Sequence, residues 1–94
     1  MVYQDLGLIS FFTVAGSEVR AWTLRRGDTA LQAAAKVHTD LAKGFVRAEV
    51  FSFAELEAVG GDERALKARH AVRLEGRDYL VKDGEVVTIR ANTR

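Results

Sequence analysis

Val37-His38-Thr39-Asp40-Leu41-Ala42-Lys43-Gly44-Phe45-Val46-Arg47-Ala48-Glu49-Val50 is the stretch in which one periodicity gives way to another. Upstream, Leu31, Ala34, Ala35, Val37 and Leu41 recur at helical spacing, while downstream Val46, Ala48 and Val50 alternate with Arg47 and Glu49, as in a strand with one buried face. The change falls at Gly44. It follows Lys43, which suits the last turn of a helix, and the expectation is a left-handed glycine there, because a Cβ clashes in that conformation. A helix therefore feeds directly into a strand, and the rest of the chain packs around that joint.

Working outward, Ile9 to Val14 and Glu18 to Leu24 are rich in β-branched and aromatic residues, and Ala15-Gly16-Ser17 separates them, so they predict a β-hairpin. Arg25-Arg26-Gly27-Asp28 breaks that pattern. Asp28 or Thr29 can accept from the free N–H groups that open a helix near Ala30, and the small face of Ala30, Ala33, Ala34 and Val37 allows it to lie close on a sheet. Thr39 is expected to start a final turn over Asp40 to Lys43, with His38 at the kink tying the helix end to the next strand. After a strand from Phe45 to Phe51, the Ser52-x-x-Glu55 spacing is that of a capping box and predicts a short helix through Val59, stopped by Gly60-Gly61. A second short helix is expected over Glu63 to Arg69. Val72-Arg73-Leu74 and Tyr79-Leu80-Val81 read as a short hairpin, and Lys82-Asp83-Gly84-Glu85 as a turn into a last strand from Val86 to Ala91. This order suits an α+β fold of the β-grasp, ubiquitin-like kind: a mixed sheet of about four to five strands with one main helix on one face, plus short helices. A four-stranded α+β sandwich of another topology is the alternative.

Composition narrows the function. Ninety-four residues make one domain, with 14 Lys and Arg against 13 Asp and Glu, so any nucleic-acid contact must use a local basic patch. The lack of cysteine rules out disulfides and thiolate chemistry in these residues and fits a reducing, cytoplasmic setting. Leu6 to Val14 is apolar but too short to span a bilayer, so no membrane role is expected.

Several blocks in these elements resemble a known family. Leu6-Gly7-Leu8 with Phe11-Phe12-Thr13, Glu18 to Thr23, His38-Thr39-Asp40, Lys43-Gly44-Phe45, Arg47-Ala48-Glu49-Val50, Leu74-Glu75-Gly76, Asp78-Tyr79 and Asp83-Gly84 keep, from about Tyr3 to Arg90, the order of the TGS domain at the C-terminal end of the YchF GTPase-like ATPases. The resemblance implies a β-grasp module behind a P-loop nucleotide-binding domain and a coiled-coil insertion, in a family associated with ribosomes and translation. It implies that ATP or GTP with magnesium belongs to that other domain, and that this chain holds no cofactor. The sequence departs from the family at Leu31, where a proline is usual, at Leu41, where a large aromatic is usual, and in its less aromatic last strand. Met1-Val2 resembles a start imposed on a longer sequence, which suggests an excised domain; a free-standing small protein is the alternative.

No Gly-x-x-x-x-Gly-Lys-Ser/Thr loop occurs, so these residues are expected to be non-catalytic. His38 and His70 stand far apart with no cysteine to complete a zinc set. His38-Thr39-Asp40 has the makings of a proton-transfer cluster, but helix capping explains it more simply. Trp22 shares strand parity with Leu24 and belongs to the core rather than to a stacking platform. In the run Lys67, Arg69, Arg73 and Arg77, acidic residues interleave as on any solvated surface. Parity offers a better candidate: with Val46, Ala48 and Val50 toward the helix, Arg47, Glu49 and Phe51 face outward with Thr23, Arg25 and Arg90, and Arg25, Arg47, Phe51 and Arg90 are the contact set. That set can contact phosphates and stack a base of ribosomal or other RNA; equally, the face can dock on the parent's P-loop domain in cis. A ubiquitin-like carrier is disfavoured, since the chain closes on Ala91-Asn92-Thr93-Arg94 rather than Gly-Gly. The expected state is a monomer.

Overall fold

At the helix-to-strand joint, the computed structural model, which describes residues 7–15, 18–68 and 71–92, gives Gly44 a different reason for being glycine. Its φ is −98° and its ψ 14°, outside the left-handed region. A Cβ there would instead lie 2.2 Å from the backbone oxygen of Asn92, whose N–H donates to the Gly44 carbonyl at 2.7 Å. Two chain segments touch backbone to backbone, and only a residue with no side chain fits between them.

Around the joint the elements run β1 (Leu8–Ala15), β2 (Glu18–Arg25), α1 (Ala30–Val37), α2 (Thr39–Lys43), β3 (Phe45–Ser52), α3 (Phe53–Ala58), α4 (Glu63–Ala68), β4 (Arg73–Glu75) and β5 (Glu85–Ala91). The strands form one mixed sheet in the order β2-β1-β5-β3-β4, with β1 and β5 parallel and the other pairs antiparallel. The expected α+β architecture is therefore present, with five strands and α1 crossing one face. Gly16, Ser17, Arg69 and His70, on which parts of the sequence reading fall, lie outside the described residues.

Local chemistry sets the helix ends. Thr29 caps α1, its hydroxyl accepting from Gln32 N–H while the Gln32 side chain accepts from Thr29 N–H. Ser52 and Glu55 form the expected capping box on α3, and Gly60 and Gly61, both at positive φ, follow its end. The cap of α2 is His38 rather than Thr39: its Nδ1 accepts from Asp40 N–H at 3.1 Å, and the imidazole is exposed instead of tied to β3.

The expected hairpin after α4 does not form. β4 pairs with β3, and the stretch Arg77 to Val81 goes to the start of α1, where the carbonyls of Tyr79 and Arg77 accept from Ala30 and Leu31 N–H and Leu80 bridges Thr29. Those helix-opening donors need partners, and this crossing supplies them. A proline at Leu31 would lack the donor that reaches Arg77.

Burial divides into two layers. Ile9, Phe11, Leu24, Ala30, Ala33, Ala34, Phe45, Ala48, Val50 and Val87 make the core between sheet and α1; Ala35, read into the stripe from sequence, is exposed. Phe51, Leu56 and Val86 form a second core on the opposite face, with Phe12, Val14, Phe53, Val59, Ala71 and Val72 against it. Val46 departs from the expected parity. A register shift between Phe45 and Arg47 bulges β3, so Phe45 points into the first core and Val46 is left 56% exposed.

Candidate nucleic-acid interface

Parity past the bulge is as expected, and it sets Arg47 directly opposite Arg90 across the β3–β5 pair, on the face turned away from α1. Between them stands Glu49, one residue pair along on the same face. Arg90 grips it with two bonds, Nε to Oε2 at 3.1 Å and Nη2 to Oε1 at 3.2 Å, while Arg47 Nε lies 3.9 Å from Oε2. The Glu49 side chain is 11% exposed and both arginine side chains are 48% exposed. Arg47 and Arg90 thus flank one carboxylate, and a guanidinium is a planar fork of donors whose geometry matches phosphate oxygens.

The other two members of the sequence-predicted set are elsewhere. Phe51 is 1% exposed, sealed beneath α3 in the second core, so no base can stack on it. The outer face looked open from strand parity alone because the short helix α3 gives no sign in sequence of which face it covers. Arg25 lies opposite Leu8, four residues before Phe12, whereas Arg90 lies four residues after Val86, the partner of Phe12 in the parallel pair. At about 3.3 Å per residue that separates them by roughly 26 Å along the strands, with the α3 layer between. The face thus carries a basic pair at one end and a separate arginine at the other.

A second constellation escaped the sequence reading. Glu85, 5% exposed, accepts from Arg73 Nη2 at 2.6 Å and Tyr79 Oη at 2.7 Å on one oxygen, and from Lys82 N–H at 2.8 Å on the other. Burial and the bond to Glu85 push the Tyr79 hydroxyl up to about 12. The same carboxylate raises Arg73 further above its ordinary value. The signal was available in parity, since Glu85 shares the inward face with Val87 and Ile89, but a charged residue after a turn glycine is ordinarily read as solvated. This cluster is a tie between β4, β5 and the Arg77 to Val81 crossing, in which both oxygens of Glu85 accept hydrogen bonds.

The phosphate-loop sequence is missing, and among the described residues no three His, Cys, Asp or Glu stand close enough to hold an ion. Nor, among the described residues, is any helix long and apolar enough to cross a membrane.

The family described as "YchF-GTPase_C: Protein of unknown function (DUF933)" matches residues 8–92. Among individual proteins, the chain is 47% identical over 91 residues to Obg-like ATPase 1 of Homo sapiens, covering 97% of this chain and 23% of that protein. It is 47% identical over 90 residues to Ribosome-binding ATPase YchF of Escherichia coli O157:H7, covering 96% and 24%. The structure of the Schizosaccharomyces pombe YchF GTPase superimposes with a TM-score of 0.84 at 35% identity, over 95% of this chain and 23% of that one. The chain thus spans about a quarter of the length of the relatives it matches. A family match over residues 8–92, together with a shared fold and this identity over nearly the whole chain, leaves one assignment: the chain belongs to the YchF GTPase family and corresponds to its C-terminal domain, not to its nucleotide-binding part.

Proposed function

We propose that this domain is a non-catalytic, TGS-like binding module of a cytoplasmic YchF-type P-loop ATPase, monomeric by itself, and that it contacts the ribosome through RNA phosphates at the Arg47–Arg90 end of the sheet. The observation that carries the reading is the pair of half-exposed arginine side chains, opposite each other across β3 and β5, beside one buried carboxylate. Glu49 holds the Arg90 fork by two bonds and keeps Arg47 within 3.9 Å, so a phosphate would meet two cations already gathered at one place. The relative named Ribosome-binding ATPase YchF supports the choice of partner. Nucleotide and magnesium, in this reading, are bound by the parent's other domain.

A second reading has its own observation. Leu74 is 66% exposed and sits opposite Glu49 on the same face, an apolar side chain suited to packing on the parent's nucleotide-binding domain. Cosedimentation with ribosomal subunits separates the two. Arg47→Gln weakens binding under the first reading, whereas Arg64→Gln and Arg77→Gln, which remove exposed charges elsewhere, do not. If all three weaken it alike, only general electrostatics is at work. If none matters and Leu74→Asp instead abolishes binding to a separately prepared nucleotide-binding domain, the face is a docking surface.

A further inference from the structure

The sheet has two edges among the described strands, and they differ. β4 is three residues long, a common way to blunt an edge, whereas β2 pairs with β1 over eight residues without a bulge and contains no proline. Its outward backbone groups can be assigned. Arg26 N–H donates to Gly7 at 2.6 Å, while Arg25 N–H donates to Asp28 Oδ2 at 3.0 Å rather than to β1. Antiparallel pairs alternate, so Val19, Ala21 and Thr23 share the outward direction of Arg25. Asp28 closes the ladder at Arg25, and Val19, Ala21 and Thr23 before it are exposed, with no strand beyond β2 among the described residues.

Beside this edge, where β2 meets α1, lies a groove of about 240 Å³ lined by Leu24, Arg25, Asp28, Gln32 and Lys36. Leu8 and Leu24 supply its apolar part, and two cations, Arg25 and Lys36, stand with one carboxylate, Asp28, in its lining. Arg20, Arg25, Arg26 and Lys36 outnumber Glu18 and Asp28 here, in a chain whose formal net charge is only +1. Arg25, left out of the distant basic pair, belongs to this site.

We propose that the β2 edge and its groove dock an extended, acidic peptide strand. The strand adds to the sheet through the backbone groups of Val19, Ala21 and Thr23, places one apolar side chain over Leu24, and sets carboxylates against Arg25 and Lys36. The chemistry is a protein segment rather than a nucleic acid, because the edge offers paired N–H donors and C=O acceptors at strand spacing, which a nucleotide backbone does not match.

The test is amide chemical-shift mapping of the 94-residue domain titrated with the synthetic peptide acetyl-Asp-Glu-Val-Ile-Val-Leu-Asp-Glu-amide. Expected are shifts at Val19, Ala21 and Thr23 with none at β4, and loss of binding when alternate peptide nitrogens are methylated. Arg25→Glu with Lys36→Glu weakens binding about tenfold at low salt, since exposed pairs contribute modestly. Ala21→Pro removes an outward donor but no bond to β1, so it abolishes binding at little cost to melting temperature; should it unfold the domain, the charge-reversed variant and the methylated peptide still decide. The proposal is overturned by shifts confined to other strands, by no binding at millimolar peptide, or by equal binding of the methylated peptide. It is also overturned if the β2 amides shift with protein concentration alone, which makes the occupant a second copy, or respond more strongly to single-stranded polyuridylate.

Discussion

A Cβ on Gly44 would sit 2.2 Å from the Asn92 carbonyl oxygen, and neither neighbour is a side chain that can swing away. Gly44→Ala is therefore expected to destabilise the domain by more than about 1 kcal/mol despite an allowed backbone conformation, lowering the melting temperature by at least several degrees. Gly76→Ala is the comparison: nothing lies within 4 Å of its Cβ, and the reduced freedom of the unfolded chain is expected to leave stability unchanged or raised by up to about 1 kcal/mol. Thermal unfolding of both variants checks the pair, and a Gly44→Ala protein that melts with the wild type contradicts the close approach. The sequence marked Gly44 as indispensable but could not distinguish a local from a distant cause, since Asn92 reaches it only through the folded sheet. Tyr79 makes a second residue-scale case. Its raised value means that the folded state holds the phenolic proton more tightly, so its contribution is full below the ordinary value of 10.0 and is lost as pH rises through about 12. Wild-type melting temperature should fall more steeply than that of Tyr79→Phe across that window; parallel curves would mean that burial and the bond to Glu85 do not hold the phenolic proton in the folded state.

Elements were legible wherever a local signal was sufficient. Ser52 and Glu55 announce α3 by spacing alone, and the reciprocal bonds are present at 3.0 and 2.9 Å. Ser52→Ala should cost about 0.5–2 kcal/mol, read as a lower midpoint in urea unfolding at unchanged slope, and an unaltered midpoint would mean that packing of Leu56 and Phe53 alone holds the helix. What spacing could not say is where α3 lies. Its placement over Phe51, Val86 and Phe12 closes half of a face that parity left open, and it removes Phe51 from the candidate site. The hairpin expected around Gly76 failed for a similar reason: the donors opening α1 compete for the carbonyls of Arg77 and Tyr79, a demand invisible to a strand-by-strand reading. The bulge at Val46 is likewise set by pairing with β5, not by β3 itself.

Across the whole molecule, charge is organised rather than abundant. Fourteen cations and 13 anions nearly cancel, yet the sheet separates a carboxylate-braced arginine pair at one end of its outer face from the basic β2 edge at the other. Arg47 and Arg90 could be placed on one face from strand parity; their convergence on Glu49 could not, because it depends on the register across β3 and β5. That register also dictates how the site must be probed. Arg90→Gln alone leaves Glu49 buried without its bidentate partner and is expected to cost about 1–3 kcal/mol, so weaker binding would be confounded with unfolding. Replacing Arg47, Glu49 and Arg90 together by glutamine removes both cations and the carboxylate they hold. The most direct test is the slope of log affinity for ribosomal subunits against log salt, measured for wild type and this triple variant. If both arginines meet phosphates of duplex RNA, the wild-type slope is steeper by about 1.8, with about 0.9 from each phosphate that an arginine neutralises. Equal slopes, with the variant folded, would contradict phosphate binding at the Arg47–Arg90 pair.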